Sequence, residues 1–220
     1  MKYSMDNISV IIRNRNEAEH IGLAIQSVID HLGHDTEIII IDDNSTDDSL
    51  EVVALFDQLN ISISNIEGHY SPGKALNLGA RLATNNTLLV LSAHSQITTI
   101  NKEMLNRWFF KGHVAVFGKQ TPIYRGKKIT PRYIWSHFTG DITENLHSEI
   151  ENRQFLHNAF CFYDKEFLLE NPFDEELSGK EDRYWAIDIV KKGHTYLYDG
   201  FYQKCNHYWT NNGATWKGLG

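Results

Sequence analysis

The chain has 220 residues, of which 41% are hydrophobic and 22% charged, proportions typical of a soluble globular protein rather than a disordered or fibrous one. Its formal net charge of −7 argues against a general nucleic-acid-binding protein, because such proteins need a basic face. Two cysteines are too few for a disulfide scaffold and suit a reducing cytoplasm. No apolar run approaches the length of a membrane-spanning helix, and the first ten residues lack the apolar core of a secretion signal.

In chain order, strand-like and helix-like segments alternate through the first half of the sequence. Short continuous apolar runs predict strands that are buried on both faces of a parallel sheet, and an alternating run at 61–66 predicts a strand nearer an edge. The predicted strands of this half are 8–12, 37–41, 61–66 and 87–91. Apolar residues at helical spacing predict helices at 17–32 and 74–84, and a capping box at 45–48 predicts the start of another.

The second half is less regular. The sequence predicts a strand at 114–118, a loop-rich stretch at 120–150 and a helix at 181–192. An aromatic-rich stretch follows at 196–216. Neither a repeat nor a linker separates two domains, so we expect one α/β domain over 1–220. Its doubly wound sheet should be mixed and mainly parallel, with right-handed crossovers and helices on both faces.

Polar residues follow three of the predicted strands, at the ends where an open α/β sheet binds its ligands. They are Arg-Asn-Arg-Asn-Glu at 13–17, Asp-Asp-Asn-Ser at 42–45 and Ser-Ala-His-Ser at 92–95. Any α/β domain has polar loops there, but three neighbouring clusters with two arginines and paired aspartates predict one convergent site. No dinucleotide glycine fingerprint follows a strand, and Gly73-Lys74 lacks the upstream glycine of a P-loop. Neither an NAD enzyme nor a P-loop NTPase fits.

The segments ISVIIRNRNE, EIIIIDDNSTDDS and GKALNLGA resemble the nucleotide-binding half of family-2 glycosyltransferases, which have the GT-A fold. The resemblance covers 8–95 and implies a nucleotide-sugar donor there, with the acceptor and catalytic half at 96–220. It implies that Asp42 accepts a hydrogen bond from the nucleotide base, although Asp42 could instead cap the following helix. The nucleotide-sugar-binding residues implied are Arg13, Arg15, Glu17, Asp42, Asp43, Lys74 and Ser92.

The sequence departs from that family where a metal ion is usually held. The family's Asp-x-Asp motif is replaced by Ser92-Ala93-His94, which keeps the spacing with different chemistry. A neutral imidazole suits Mn²⁺ better than Mg²⁺, so His94 is a candidate metal ligand or a direct contact to the diphosphate. Two alternatives stay open: transfer without a metal, in which cations neutralise the diphosphate, and a structural histidine.

An acidic pair opens the predicted helix at 181–192 and resembles the Glu-Asp motif of inverting family-2 transferases. The resemblance implies that Asp182 is the general base that takes the proton from the acceptor hydroxyl, with Glu181 as the fallback. The structural alternative is that both acids favour the N-terminus of the helix through its dipole.

Two further histidine patterns are weaker. The resemblance places His207 where several GT-A enzymes have a late histidine in the metal shell. A zinc site of His157, Cys161, Cys205 and His207 is another possibility, but the spacings differ from those of known zinc motifs. A basic stretch with Arg125, Lys127, Lys128 and Arg132 is either a solvated loop, a lid or a contact with an anionic lipid-linked acceptor.

Together these features predict an inverting glycosyltransferase that moves a sugar from a nucleotide-sugar donor to a hydroxyl on a saccharide or lipid-linked saccharide. From the resemblance, we expect bacterial surface polysaccharide or lipopolysaccharide synthesis, with contact to the inner face of the membrane and no nucleic-acid partner. The alternatives are a nucleotidyltransferase, whose usual glycine-rich loop is absent, and an inactive GT-A-like protein that binds a nucleotide or a partner.

Overall fold

One mixed β-sheet runs through both halves of the chain. The computed structural model describes residues 7–128 and 133–210, and within them this sheet has ten strands. The strands are β1 Ile8–Asn14, β2 Glu37–Asp42, β3 Ile61–Asn65, β4 Thr87–Ser92, β5 Ser95–Thr99, β6 His113–Tyr124, β7 Lys127–Lys128, β8 Ile142–Glu144, β9 His147–Ser148, β10 Arg153–Gln154, β11 Phe160–Asp164 and β12 Thr195–Tyr208. The helices are α1 Ile21–Leu32, α2 Ser49–Ala54, α3 Pro72–Leu82, α4 Lys102–Phe110, α5 Lys165–Glu170 and α6 Glu181–Lys191, with a 3₁₀ turn at Tyr133–His137.

The sheet order is β3-β2-β1-β4-β11-β6-β12-β5, with β7 beside β6 and β8 beside β12, while β9 and β10 form a separate hairpin. The pairs β1–β2, β1–β4, β2–β3 and β6–β12 are parallel. Strand β11 is antiparallel to both β4 and β6, and β5 is antiparallel to β12. Six of the eight strands along this path therefore point the same way, which confirms the mainly parallel sheet.

The apolar strands are buried on both faces, as their sequence predicts. In β1, Ile11 packs into one core cluster with α3 and α6, while Val10 and Ile12 pack into the other with α1, α2 and α4. Helices therefore cover both faces of the sheet, because each apolar run has to be shielded from water on its two sides. The alternating strand β3 lies at the edge, also as predicted.

Several boundaries differ from the sequence predictions. Helix α1 begins at Ile21 rather than at residue 17. The predicted capping box is wrong: α2 begins at Ser49 without a side-chain cap, because Ser45 bonds to the loops of β1 and β2 instead. The strand predicted at 114–118 extends through Tyr124 into the stretch expected to be loop. The strand β11 and the helices α4 and α5 were not predicted.

Arg132 of the basic stretch and residues 211–216 of the aromatic-rich stretch lie outside the described residues. The division of the chain near residue 95 stays a prediction, although β11, β6 and β12 extend the sheet of β1–β4 without a break. Across the described ranges, no helix combines the length and apolar character needed to cross a membrane.

Candidate active site

A cleft lies at the carboxyl ends of β1 and β4, against the N-terminus of α6. Its lining combines residues from both halves of the chain, which the sheet order brings together because β4 pairs with β1 on one side and β11 on the other. The predicted site residues that line it are Arg13, Ser92, His94, Glu181, Asp182 and His207. This is the edge at which open α/β sheets bind ligands.

Asp42 ends β2 just outside this lining and is fully engaged by its neighbours. Asn14 Nδ2 and Ser45 Oγ donate to its Oδ1 at 2.7 and 2.6 Å, and the Ser45 backbone N–H donates to Oδ2 at 2.9 Å. The side chain is buried. In this conformation, Asp42 therefore ties the end of β1 to the loop after β2.

The neighbouring predicted residues form separate pairs on the same loops. Arg15 Nη1 donates to Asp43 Oδ2 at 2.6 Å, with Arg15 largely exposed and Asp43 buried. Lys74 lies in the first turn of α3, where its backbone N–H donates to the capping Ser71 Oγ and its Nζ donates to the Glu67 carbonyl. Arg15, Asp43 and Lys74 are not among the residues that line the cleft.

Glu17, His94 and Ser92 form a hydrogen-bonded chain. His94 Nδ1 lies 2.9 Å from Glu17 Oε1, and His94 Nε2 lies 3.1 Å from Ser92 Oγ. Because a carboxylate only accepts hydrogen bonds, the proton of the imidazole lies on Nδ1. Both ring nitrogens of His94 are therefore occupied by protein groups.

His94 and His207 were candidate metal ligands, and their arrangement does not fit a metal ion shared by the two rings. The two rings stack with centroids 4.9 Å apart and planes inclined by 22°, so their in-plane lone pairs do not converge on one point. To bind a metal through Nε2, His94 would have to give up its hydrogen bond to Ser92 Oγ. Among the described residues, no group of three or more His, Cys, Asp or Glu side chains is placed to hold a metal.

The zinc alternative is wrong. Cys161 belongs to the core cluster on one face of the sheet and Cys205 to the cluster on the other face. Adjacent strands place β6 between β11 and β12, so the two thiols point away from each other across the sheet.

His157 and His207 are held neutral by their surroundings. Gln120 joins them: its Oε1 accepts from His207 Nδ1 at 2.9 Å, and its Nε2 donates to His157 Nδ1 at 3.0 Å. Burial lowers the pKa of His157 strongly, with Arg183 and Arg13 adding to the effect. Burial also lowers the pKa of His207 strongly, reinforced by His94 and His157.

The acidic pair at the start of α6 also lines the cleft. Glu181 Oε1 accepts from Arg13 Nη1 at 3.3 Å and from Asn158 Nδ2 at 3.2 Å. Burial raises the pKa of Glu181, and the Asp182 carboxylate adds to the rise, while Arg13 and Asn158 oppose it. Helix α6 follows a left-handed residue, Lys180, which turns the chain so that both acids enter the cleft.

Sequence reasoning missed Arg183, the residue that balances the charge of Asp182. Its Nη1 lies 3.0 Å from both carboxylate oxygens of Asp182, and its guanidinium lies 4.6 Å from the Phe155 ring centroid. Arg183 is buried and also faces Glu151 at 4.0 Å. Its position directly after the acidic pair was the available signal, but neighbouring residues in a helix are not expected to face each other.

The comparisons with known proteins assign the family. The model of glycosyl transferase family 2 matches residues 9–172. The chain belongs to this family. The match extends well past the predicted nucleotide-binding half and confirms the resemblance seen in the sequence.

Two relatives of this family-2 glycosyltransferase are also named as glycosyltransferases. The GalNAc(5)-diNAcBac-PP-undecaprenol beta-1,3-glucosyltransferase of Campylobacter jejuni is 28% identical over 205 residues, 90% of this chain and 64% of that protein. An uncharacterized glycosyltransferase of Nostoc sp. is 40% identical over 88 residues, 39% of this chain and 27% of that protein. The chain thus spans less than two thirds of the length of either relative.

Two solved structures share the fold of the chain. S. aureus TarS in complex with UDP-GlcNAc aligns with a TM-score of 0.67 at 20% identity, over 94% of this chain and 60% of that chain. GalNAc-T7 with UDP, GalNAc and Mn²⁺ aligns with a TM-score of 0.71 at 18% identity, over 94% of this chain and 44% of that chain. These likenesses confirm the predicted GT-A fold of this family-2 glycosyltransferase.

Proposed function

We propose that the chain transfers a sugar from a uridine diphosphate donor to a hydroxyl acceptor with inversion of the anomeric carbon. The observation that carries the proposal is that one cleft is lined by both a cation and an acidic pair. Arg13 lies at the end of β1, and Glu181 and Asp182 lie at the start of α6. An inverting transfer needs a cation at the leaving diphosphate and one base on the acceptor side.

The nucleotide is proposed to bind over the loops after β1 and β2. The bonds of Asp42 to Asn14 and Ser45 fix the shape of these loops before a ligand arrives. Arg15 is the most exposed cation there and can turn from Asp43 toward a phosphate, because most of its side chain is exposed to solvent. Preformed loops reduce the entropy lost when the nucleotide binds.

Arg13 is proposed to be the main cation at the diphosphate, with Arg15 and Lys74 closing over it. The hydrogen bonds of His94 to Glu17 and Ser92 keep that ring in place at the same wall. Because the histidine pair does not fit a metal centre, we derive no step from Mn²⁺. A guanidinium can neutralise a diphosphate through paired N–H donors.

The acceptor is proposed to be a saccharide, free or lipid-linked, in bacterial surface polysaccharide or lipopolysaccharide synthesis. The Campylobacter relative is named for a reaction on an undecaprenol-linked saccharide, which supports this class of acceptor. A lipid-linked acceptor would bring the chain to the cytoplasmic face of a membrane as a peripheral protein.

Thermal unfolding with UDP, GDP, CMP and dTDP, each with and without Mn²⁺, tests the donor site. UDP at a concentration 100 times its Kd should raise the midpoint by about 5–10 °C, since it binds only the folded chain. The rise should be independent of Mn²⁺, absent in Arg13→Met and intact in the surface control Arg81→Met. No rise with UDP contradicts the proposed donor, and a rise that requires Mn²⁺ contradicts the metal-free site.

A turnover assay separates the two alternatives from the proposal. A nucleotidyltransferase would release pyrophosphate from a nucleoside triphosphate, whereas the proposed reaction releases UDP from a UDP-sugar. An inactive binding protein would bind UDP but release none from UDP-sugars, with or without saccharide acceptors. Either result contradicts the proposed activity.

A further inference from the structure

Asn158, in the loop between β10 and β11, contacts both members of the acidic pair. Its backbone N–H donates to Asp182 Oδ2 at 3.0 Å, and its side-chain Nδ2 donates to Glu181 Oε1 at 3.2 Å. The residue is buried and lines the cleft. The carbonyl of the next residue, Ala159, accepts from the Ser92 backbone N–H at 3.0 Å. One short segment therefore links the end of β4 to both carboxylates at the start of α6.

A third hydrogen bond of Asn158 sets the direction in which its side-chain amide points. The hydroxyl of Tyr163, in β11, donates to Asn158 Oδ1 at 2.5 Å. Burial raises the pKa of Tyr163 well above its ordinary value, so the phenol keeps its proton and acts as the donor. The Glu181 carboxylate can only accept a hydrogen bond and needs the amide nitrogen on its own side. The phenol and the carboxylate therefore select the same orientation of the amide.

The ring of Tyr163 is held in place by aromatic neighbours. It packs edge-to-face against Trp185, with centroids 5.2 Å apart and planes at 83°, and against Phe173, at 5.6 Å and 87°. Tyr163 is fully buried, and Trp185 lies in α6 one turn beyond the acidic pair. The packing that fixes the Tyr163 hydroxyl therefore also fixes the helix that presents the two carboxylates.

We propose that Asn158 and Tyr163 are positioning residues for the acidic pair. Tyr163 orients the Asn158 amide, and that amide, together with the Asn158 backbone N–H, holds the two carboxylates in one arrangement. This inference rests on the proposed function, in which the acidic pair supplies the base. Neither positioning residue takes part in making or breaking a bond. A catalytic group misplaced by about 1 Å can lower a rate about 100-fold, which is the loss that this arrangement prevents.

The charged and titratable groups that act on Glu181 come from three elements. They are Arg13 of β1, Tyr163 of β11, and Asp182 and Arg183 of α6. Other titratable groups that line the same cleft are His94, His157, Lys180 and His207. Burial raises the pKa of Glu181 and Asp182 adds to the rise, while Arg13 and the hydrogen bond from Asn158 oppose it. Loss of the bond from Asn158 should therefore raise the pKa of Glu181 further.

Replacing Tyr163 by phenylalanine removes only the hydroxyl and tests the inference without any ligand. Carboxyl ¹³C NMR titration follows Glu181, whose signal is the one missing from Glu181→Gln. Its pKa should be higher in Tyr163→Phe than in the wild type by about 0.5–1, because the Asn158 amide is no longer held toward it. An unchanged pKa of Glu181 overturns the inference.

The matched control is Tyr198→Phe. Tyr198 is equally buried, and its hydroxyl donates to the Thr139 carbonyl at 2.7 Å instead of to the segment beside the acidic pair. Tyr198→Phe should leave the pKa of Glu181 unchanged. Equal rises of that pKa in Tyr163→Phe and Tyr198→Phe overturn the inference, because they would follow from the loss of any buried hydroxyl.

A double-variant cycle tests whether Tyr163 acts through Asn158. Asn158→Ala should also raise the pKa of Glu181, because it removes the side-chain donor. Adding Tyr163→Phe to Asn158→Ala should raise that pKa no further, since the two changes break the same chain of hydrogen bonds. Additive rises in the double variant overturn the inference.

UDP release from UDP-glucose in the presence of saccharide acceptors measures the consequence for the proposed reaction. Tyr163→Phe should lower kcat about 10-fold and leave the KM for UDP-glucose within about twofold, because the proposed donor contacts are intact. Equal kcat values in Tyr163→Phe and Tyr198→Phe overturn the positioning role. A wild-type chain that releases no UDP contradicts the proposed function and not the contacts, which the titration tests independently.

A measurement on the wild-type chain covers the case in which a variant does not fold. One Asn side-chain amide should change its ¹⁵N chemical shift with the same midpoint as the carboxyl ¹³C signal of Glu181, because Asn158 and Glu181 share a hydrogen bond. If no Asn side-chain amide follows that midpoint, the inference is overturned.

Discussion

Replacing Arg183 by methionine tests whether the charge balance around the acidic pair is structural. The substitution keeps the length and apolar stem of the side chain but removes the guanidinium. Asp182 would then be a buried carboxylate with two backbone N–H donors and no cation. The ring of Phe155 would also lose the cation that lies 4.6 Å from its centroid.

The expected cost follows from the burial of both partners. Side chains of Arg183 and Asp182 are 2% and 6% exposed, so solvent screens their attraction little. Removing one partner of such a buried pair costs about 3–5 kcal/mol. With a urea dependence of about 2 kcal/mol per molar, the unfolding midpoint should fall by about 1.5–2.5 M urea.

The matched control is Arg81→Met, whose ion pair with Glu175 is 3.9 Å long and exposed on both sides. Its removal should cost less than about 1 kcal/mol. The double variant Asp182→Asn/Arg183→Met should be more stable than Arg183→Met alone, because it leaves no unpaired charge. The reasoning would be refuted if Arg183→Met lost no more stability than Arg81→Met, or if the double variant were no more stable than Arg183→Met.

Two further predictions concern stability. Gly118→Ala should lower the free energy of unfolding in urea by about 1–3 kcal/mol, because an added Cβ would lie 2.6 Å from both the Gln203 carbonyl oxygen and the Phe160 ring. The control Gly140→Ala should change it little, because the space around Gly140 is open. Equal losses of stability in the two variants would contradict the close packing at Gly118. Stability should also fall as the pH drops below about 6.5, by up to about 1.4 kcal/mol per pH unit for each histidine, because His157 and His207 stay neutral when folded but gain protons when unfolded. His157→Gln should reduce the dependence of the free energy of unfolding on pH. An unchanged pH dependence would contradict the prediction that His157 stays neutral in the folded chain.

The sequence predicted the first half of the fold because its signals are local. The apolar runs of β1, β2 and β4 have no polar face, so only a sheet covered on both sides accommodates them. The strand β11 was missed because it is defined by its hydrogen bonds to β4 and β6, and its own five residues carry too short a pattern to predict a strand. The short strand β8 is likewise defined by its pairing with the distant strand β12.

The sequence names residues of the candidate cleft but not the contacts among them. The acidic pair and the polar clusters could be read from spacing, and the structure places Arg13 and Glu181 in one cleft. Their contact spans 168 positions in the chain, a distance at which a single sequence carries no signal. The engagement of Asp42 by Asn14 and the stacking of His94 on His207 also depend on loop geometry that only the folded chain defines.

The most direct test of the central claim is a structure of the chain bound to UDP. We expect the diphosphate within hydrogen-bonding distance of the Arg13 guanidinium, at the carboxyl ends of β1 and β4. UDP found instead at the opposite edge of the sheet, in the cavity lined by Gly33, Thr36 and Asn85, would contradict the account.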